Sequence, residues 1–182
     1  MHEPTRRTAI LVAVPELAAF TDRWRSVSYW SERPGIPLTE IVPPHISVLV
    51  PWVPMPKPED LHRLRAAIAD FEPFDVGFPA AGQFANGTVW LRPEPFDQVS
   101  DLLRAVYTAF PECPPYGGEF PDPHPHLTIA TPGPHAATVL AAAEAALAAA
   151  PPPEFRLDAV TLWRESPGGT WQLTGSLPLP VS

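Results

Sequence analysis

The stretch Pro43-Pro44-His45-Ile46-Ser47-Val48 decides how this sequence is interpreted, because a close copy, Pro125-His126-Leu127-Thr128-Ile129, follows later in the chain. Side chains two positions apart in an extended strand point to the same face. Each copy therefore predicts a strand with a histidine and a hydroxyl on one face and apolar side chains on the other. These polar residues are His45 and Ser47 in the first copy and His126 and Thr128 in the second.

Two histidines and two hydroxyls are groups that a phosphate-ester enzyme can use. One imidazole can accept a proton while the other donates one, and hydroxyls can hold phosphoryl oxygens. A lone His-x-Ser/Thr motif is more often structural than catalytic. The pair is more specific, because polar side chains on an apolar strand cost desolvation unless their face lines a wet cleft. We therefore predict one catalytic site formed by His45, Ser47, His126 and Thr128.

The composition is that of a folded, soluble protein. The chain has 182 residues, enough for one ordinary domain or for two small lobes that share a cleft. It contains no uninterrupted apolar run of about 18 residues and begins without a signal pattern, so we expect a cytoplasmic protein with no membrane partner. Cys113 is the single cysteine, which excludes an internal disulfide. A monomer is favoured.

The net charge of −8 restricts the partners. Proteins hold long nucleic acids largely through lysine and arginine side chains that neutralise phosphates. Lys57 is the only lysine among the 12 lysine and arginine residues, and the arginines form no basic stripe. A long nucleic acid is therefore disfavoured, whereas a small nucleotide or the phosphate of an RNA end remains a candidate substrate.

Hydrophobic periodicity predicts helices and strands around the two motifs. Helices are expected from Pro15 through Trp24 and over 59–71, 96–110 and 135–149. Besides the second motif, strands are expected over 8–14, 45–51, 74–78, 155–164 and 170–179. Asn86-Gly87 is expected to form the type I′ turn of a hairpin over 84–91.

The order strand, helix, loop, motif strand, helix, strand occurs twice with similar lengths. We therefore predict an internal duplication within a single domain over 1–182, with halves of approximately 1–86 and 87–182. Such a duplication would place the two motifs across a shared groove.

The segments His45-Ile46-Ser47-Val48 and His126-Leu127-Thr128-Ile129 resemble the paired signature of the 2H phosphoesterase superfamily. That superfamily includes 2′-5′ RNA ligases and cyclic nucleotide phosphodiesterases. The resemblance extends over nearly the whole chain, from Ala9-Ile10-Leu11-Val12 through Pro114-Pro115-Tyr116-Gly117-Gly118 to Gly169-Thr170-Trp171. It is closest to the small bacterial proteins of the 2′-5′ RNA ligase family.

The resemblance implies an α+β fold with two pseudo-symmetric lobes, in which antiparallel sheets and flanking helices surround a central cleft. It also implies that the motifs face each other across this cleft. In that arrangement His45 and His126 are acid and base, Ser47 and Thr128 are phosphate ligands, and no metal or other cofactor takes part.

One position departs from the family pattern. Thr131 stands where the RNA ligase and cyclic phosphodiesterase subgroup usually carries an arginine. A charge that would help to bind the phosphoryl group is therefore missing from its usual place. Arg33, Arg92 or Arg164 could supply it from elsewhere in the chain.

Aromatic side chains precede both motifs and have two interpretations. Tyr116 and Phe120 precede the second motif, and Tyr29 and Trp30 precede the first. Such rings could stack on a nucleobase, or they could anchor proline-rich loops to the core, which is the favoured interpretation. Tyr116 and Phe120 are the candidate substrate-binding residues.

A metal site is not predicted. His124 and His126 lie close together in the sequence, with Asp122 nearby. Zinc sites usually need three or four convergent ligands, and no further cysteine or histidine has a suitable spacing.

The sequence therefore predicts a metal-independent phosphoesterase that hydrolyses a 2′,3′-cyclic or related cyclic nucleotide phosphate. An alternative enzyme is a 2′-5′ RNA ligase or phosphodiesterase that acts on RNA ends. The alternative outside enzymes is a nucleotide-phosphate-binding module without catalysis. The two intact histidines count against that module, because arginine or lysine would bind phosphate equally well.

Overall fold

The computed structural model describes residues 7–32, 41–120 and 122–181, with the backbone alone for residues 27–32. Its strands are β1 Thr8–Ala13, β2 His45–Leu49, β3 Phe74–Gln83, β4 Val89–Glu94, β5 Leu127–Ala130, β6 Phe155–Leu157, β7 Ala159–Glu165 and β8 Trp171–Pro178. Its helices are α1 Ala18–Glu32, α2 Pro58–Ala67, α3 Phe96–Ala109 and α4 Ala136–Ala149, with short 3₁₀ segments at Pro15–Leu17 and Pro115–Gly118.

The strands form one 8-stranded sheet in the order β6-β3-β4-β5-β2-β1-β7-β8. Every neighbouring pair is antiparallel. With helices packed against this sheet, the expected α+β class is confirmed. The motif strands β2 and β5 are neighbours at its centre, an arrangement compatible with the expected pair of lobes.

Each side of this centre contains strands from both halves of the sequence. β3 follows the first motif in the chain but pairs with β4. β7 follows the second motif but pairs with β1. The two sides of the sheet therefore exchange strands between the sequence halves, while the internal duplication itself stays a prediction.

The alternation of the motif strands is the one that the sequence predicts. Ile46, Val48, Leu127 and Ile129 are each 0% exposed and belong to the main hydrophobic core. The polar residues of both motifs are half-buried. Burial of the apolar face fixes the register, because a slip of one residue would turn each histidine into the core.

The alanine-rich helix α4 packs on the sheet against β3 and β4. Its buried residues follow one stripe at helical spacing, namely Ala136, Val139, Ala143 and Leu147. In the described part of the chain, no helix is long and apolar enough to cross a membrane.

Several boundaries differ from the sequence-based expectation. β3 continues to Gln83, because it is the first arm of a hairpin with β4. The strand expected over 155–164 is divided into β6 and β7, because β6 pairs with β3 whereas β7 pairs with β1 and β8. The helix expected over 59–71 ends at Ala67, and the first motif strand ends at Leu49.

The expected type I′ turn at Asn86-Gly87 is wrong. A type I′ turn requires positive φ at both central residues, but of these two residues only Gly87 has a positive φ, of 98°. Phe84 N donates to Thr88 O at 2.9 Å, and Gly87 N donates to Phe84 O at 2.9 Å. The hairpin therefore closes with the longer loop Ala85-Asn86-Gly87, in which a left-handed glycine follows the turn.

A close contact between Gly82 and Trp90 can be tested by substitution. The two residues are paired across β3 and β4, and a Cβ atom at Gly82 would lie 2.5 Å from the Trp90 ring. We expect Gly82→Ala to displace this ring and to lower the free energy of unfolding by about 1–3 kcal/mol, measured by urea denaturation. The control is Gly168→Ala, where the nearest atom would be Ser166 Oγ at 3.8 Å. Equal stability of the two variants would contradict this packing.

Candidate active site

The pairing of β2 with β5 places the four polar motif residues together. The core-facing residues Ile46 and Leu127 lie opposite each other in this antiparallel pair. Their neighbours along each strand point to the other face. In an antiparallel pair, the residue before Ile46 lies opposite the residue after Leu127, and the residue after Ile46 lies opposite the residue before Leu127. His45 therefore faces Thr128, and Ser47 faces His126. The two histidines therefore occupy diagonal corners of one four-residue group.

A cavity of about 520 Å³ opens at this group. The expected site residues all line it, namely His45, Ser47, His126, Thr128, Tyr116 and Phe120. The other lining residues are Phe84, Asn86, Thr88, Leu103, Tyr107, Glu119, Asp122, His124 and Thr131. The structure thus brings together the four motif residues and the two candidate substrate-binding residues, and their roles are taken up as proposals below.

Each motif histidine is oriented by a backbone carbonyl. His45 Nδ1 lies 2.8 Å from the oxygen of Pro43, and His126 Nδ1 lies 2.7 Å from the oxygen of His124. Because a carbonyl oxygen only accepts hydrogen bonds, Nδ1 carries the proton in both neutral rings. Nε2 is then the ring atom that can take up or release a proton.

Burial lowers the pKa of both histidines. The pKa of His45 falls to about 4, chiefly through desolvation, with smaller contributions from the charges of Arg25 and His126. The pKa of His126 is also lowered, mainly by desolvation. Both rings keep some accessible surface, so an anion can bind beside them. The negative charge of a bound phosphate would favour the protonated form of each ring. The protein alone holds both rings neutral near pH 7.

Tyr116 reaches the first motif from an unusual turn. Its φ of 51° lies in the left-handed region, which costs a residue other than glycine about 1–3 kcal/mol. Tyr116 N donates to Val50 O at 2.7 Å, and the Tyr116 side chain lines the same cavity as Ser47. The hydrogen bond to Val50 offsets part of the strain and ties the loop before the second motif to the strand that carries the first.

The aromatic residues of this loop face the cavity instead of the core. Tyr116 is 37% exposed and Phe120 is 44% exposed, and their ring centroids are 5.6 Å apart in an edge-to-face contact. The favoured expectation that they anchor the loop to the core is therefore wrong. The side chains of Tyr29 and Trp30 lie outside the described part of the structure.

A further aromatic residue, Phe84, was not nominated from the sequence. Its ring contacts His126 edge to face, with centroids 4.9 Å apart, and contacts His124 at 5.1 Å. The Asn86-Gly87 pair marks the hairpin that carries Phe84. The place of that hairpin beside the second motif depends on the pairing of β4 with β5, which no local sequence pattern encodes.

Residues 13–169 match the family model of the 2′-5′ RNA ligase superfamily. This chain belongs to that superfamily. The resemblance seen in its two motifs is thereby confirmed. No curated protein matches the sequence.

Solved structures with a similar fold cover almost the whole chain. Escherichia coli LigT in apo form has a TM-score of 0.61 and 18% sequence identity, over 97% of this chain and 98% of that chain. LigT with 3′-AMP has a TM-score of 0.60 and 19% identity over the same shares. TT0787 of Thermus thermophilus has a TM-score of 0.54 and 19% identity, over 95% of this chain and 97% of that chain. At these identities the likeness establishes the fold.

The cavity of this superfamily member carries acidic rather than basic side chains. Its described lining residues include Glu119 and Asp122 but no lysine or arginine. Of the arginines expected to replace the missing charge, Arg92 pairs with Glu94 at 2.8 Å, and Arg164 lies on β7. Arg33 lies outside the described residues. Neither described candidate lines the cavity.

The cavity also contains the residues considered as metal ligands. Asp122, His124 and His126 line it. Across residues 7–32, 41–120 and 122–181, no group of three or more His, Cys, Asp or Glu side chains could hold a metal ion.

The low pKa of His45 predicts an acid-dependent loss of stability. An unfolded histidine takes up a proton below about pH 6.5, whereas His45 resists protonation down to about pH 4. The unfolded state therefore binds more protons in this window, and the free energy of unfolding falls as the pH decreases through it. We expect His45→Gln to lose less stability than wild type between these pH values, measured by urea denaturation. Parallel pH dependences in the two proteins would contradict this prediction.

Proposed function

We propose that this protein is a metal-independent cyclic phosphodiesterase that hydrolyses 2′,3′-cyclic nucleotide phosphates. One observation carries the proposal, namely the register of β2 and β5 at the cavity. It sets two imidazoles and two hydroxyls around one small volume, as acid–base attack at a phosphorus atom requires.

The proton transfers follow from the ring orientations. The neutral imidazole of one histidine accepts a proton at Nε2 from a water molecule as the water oxygen attacks phosphorus. The bond from phosphorus to one ribose oxygen breaks, and the protonated histidine donates its Nε2 proton to that oxygen. The product is one phosphomonoester. Ser47 and Thr128 donate hydrogen bonds to the non-bridging oxygens, whose negative charge increases during attack.

The charges of the cavity support a cyclic diester as substrate. A 2′,3′-cyclic phosphate carries a single negative charge, which two hydroxyls and one imidazolium can hold. A triphosphate would bring several negative charges toward Glu119 and Asp122, both in the cavity wall. Like charges at short range are repelled. The protein's net charge of −8 acts in the same direction.

A structural relative adds support from its ligands. LigT has been crystallised with 3′-AMP and with phosphate. A nucleoside 3′-phosphate is one of the two products that opening of a 2′,3′-cyclic phosphate can yield. We propose that a small nucleotide phosphate binds at the cavity of this chain.

A second candidate function is the cleavage or formation of a 2′-5′ linkage, which the family name favours. In the formation reaction a ribose hydroxyl would replace water as the attacking group, and the same two histidines would transfer the protons. The acidic charge favours short RNA ends over large folded RNAs as substrates.

Removal of either motif histidine is expected to nearly abolish hydrolysis. General acid and general base catalysis each contribute about 10²- to 10⁴-fold, so His45→Ala and His126→Ala should each lose at least about 100-fold in kcat. The measurement is phosphorus NMR of a panel of 2′,3′-cyclic nucleotides incubated with the protein and a chelator.

The matched control for these variants is His62→Ala, because His62 is exposed on α2 and is not part of the cavity wall. Most activity remaining in either motif variant would contradict the two-histidine mechanism. Turnover lost on chelation would contradict metal independence. If wild type converts no cyclic nucleotide but joins or cleaves 2′-5′-linked oligonucleotides, the second candidate function replaces the first. If it only binds nucleotides, the protein is a binding module.

The exposed ring of Phe120 is expected to stack on the nucleobase. Stacking of one base on an aromatic side chain contributes about 1–3 kcal/mol. We therefore expect Phe120→Ala to raise KM by roughly 10-fold with little change in kcat, measured by steady-state kinetics. Met55→Ala is the control, since Met55 is 79% exposed and is absent from the described cavity wall. A fall in kcat at constant KM would contradict a stacking role.

A further inference from the structure

Arg25 is a buried charge that the mechanism above does not use. It lies on α1 and is 1% exposed, although arginine is rarely buried without partners. One guanidinium nitrogen donates to Asp22 Oδ1 at 2.9 Å, and another donates to the backbone oxygen of Val42. Val42 directly precedes the proline whose carbonyl orients His45. The guanidinium group is therefore fixed behind the first motif.

The chain segment before His45 is held at both ends. Arg25 binds the oxygen of Val42, and the N–H of Val14 donates to the oxygen of Pro44 at 2.7 Å. Between these contacts, the oxygen of Pro43 accepts the hydrogen bond from His45 Nδ1 at 2.8 Å. Release of Val42 would move the carbonyl that sets both the orientation and the tautomer of the ring.

The second motif histidine has different surroundings. His126 bonds to the carbonyl of His124, but His124 is exposed. Desolvation and the charge of His124 lower the pKa of His126, whereas the charge of Arg25 contributes to the lowered pKa of His45. The two imidazoles are therefore unequal, because a fixed cation acts on the first.

We propose that Arg25 is a positioning residue that holds His45 as the proton acceptor of the reaction, with His126 as the proton donor. This assignment rests on the hydrolysis proposed above. Water gives its proton to Nε2 of His45 as its oxygen attacks phosphorus, and Nε2 of His126 gives its proton to the leaving ribose oxygen. Among the described residues, the titratable and charged groups behind His45 or in the cavity wall with it are Arg25 and Asp22 of α1, Tyr107 of α3, Tyr116, Glu119, Asp122, His124 and His126.

Imidazole nitrogen NMR tests the role of Arg25 without a substrate. Arg25→Met removes the charge and the hydrogen bonds to Asp22 and Val42, whereas Arg25→Lys keeps the charge. We expect Arg25→Met to raise the pKa of His45 by roughly half a unit or more and to increase the share of its Nε2–H tautomer. Arg25→Lys should keep the pKa close to that of wild type, and the pKa of His126 should change less in both variants. The His45→Gln variant identifies the His45 signals.

Removal of the Asp22 carboxylate should change the pKa of His45 in the opposite direction. Asp22→Asn keeps the guanidinium group but removes the carboxylate charge of Asp22, so the net positive charge behind His45 increases and the pKa of His45 should fall. If Arg25→Met does not fold, Asp22→Asn and Arg25→Lys still test whether the charge of Arg25 sets the pKa of His45. An unchanged His45 pKa in folded Arg25→Met or in Asp22→Asn, a large shift in Arg25→Lys, or shifts of the same sign on loss of Arg25 and of Asp22, would overturn the proposal.

The pH dependence of kcat/KM separates this role from a purely structural one. Because the acidic limb reports deprotonation of the base, Arg25→Met should move this limb to higher pH and leave the basic limb in place. Movement of the basic limb instead would assign His45 as the proton donor and overturn the proposal. If wild type hydrolyses no cyclic phosphate while the NMR shifts appear, the hydrolysis and its acid–base assignment fail, but the link from Arg25 to His45 holds.

Discussion

The antiparallel contact between Ile46 and Leu127 is the constraint on which the rest of the structure depends. It joins the two sides of the sheet and sets the register of the two motif strands at once. Both side chains are completely buried, so the hydrophobic energy that holds the core together also fixes the distance between the two histidines. A site built on paired strands in this way needs little further ordering to bind a substrate.

The distribution of charge around the site follows from the same arrangement. The cavity wall is acidic and aromatic, and the buried guanidinium group of Arg25 lies behind the first histidine. A cation in the wall would bind phosphate in the ground state and in the transition state alike. In the proposed mechanism, a cation behind the ring acts instead on the protonation state of His45 and leaves the binding of phosphate to neutral hydroxyl groups.

Some features of the site could be predicted from the sequence because they depend on local periodicity. The alternation in both motifs specified which side chains face the core, and a resemblance to known motifs located the four polar residues. Features that depend on strand pairing could not be predicted. Phe84 enters the site because β4 lies beside β5. Arg25 has the helical spacing of a core-facing residue, but its partner Val42 is separated from it by a long stretch of chain.

The turn at Asn86-Gly87 shows a different limit. That dipeptide indicated a hairpin correctly but gave the wrong loop length, since glycine alone adopts the left-handed conformation there. Loop length depends on how β3 and β4 align along their whole length, and the alignment includes an irregularity between Gly77 and Ala80. Local turn preference therefore identified the connection but not its geometry.

The exchange of strands across the sheet affects the order in which the strands can pair during synthesis. β1 is synthesised well before β7, yet one of its edges stays unpaired until β7 emerges, since the Thr161 hydroxyl donates to the oxygen of Leu11 across a separation of 150 residues. The two edges of β3 likewise stay unpaired until β4 and β6 have been synthesised. Contacts between residues so distant in sequence form slowly. The four-residue group at the centre of the sheet thus has a complete sheet around it only after β6, β7 and β8 have been synthesised.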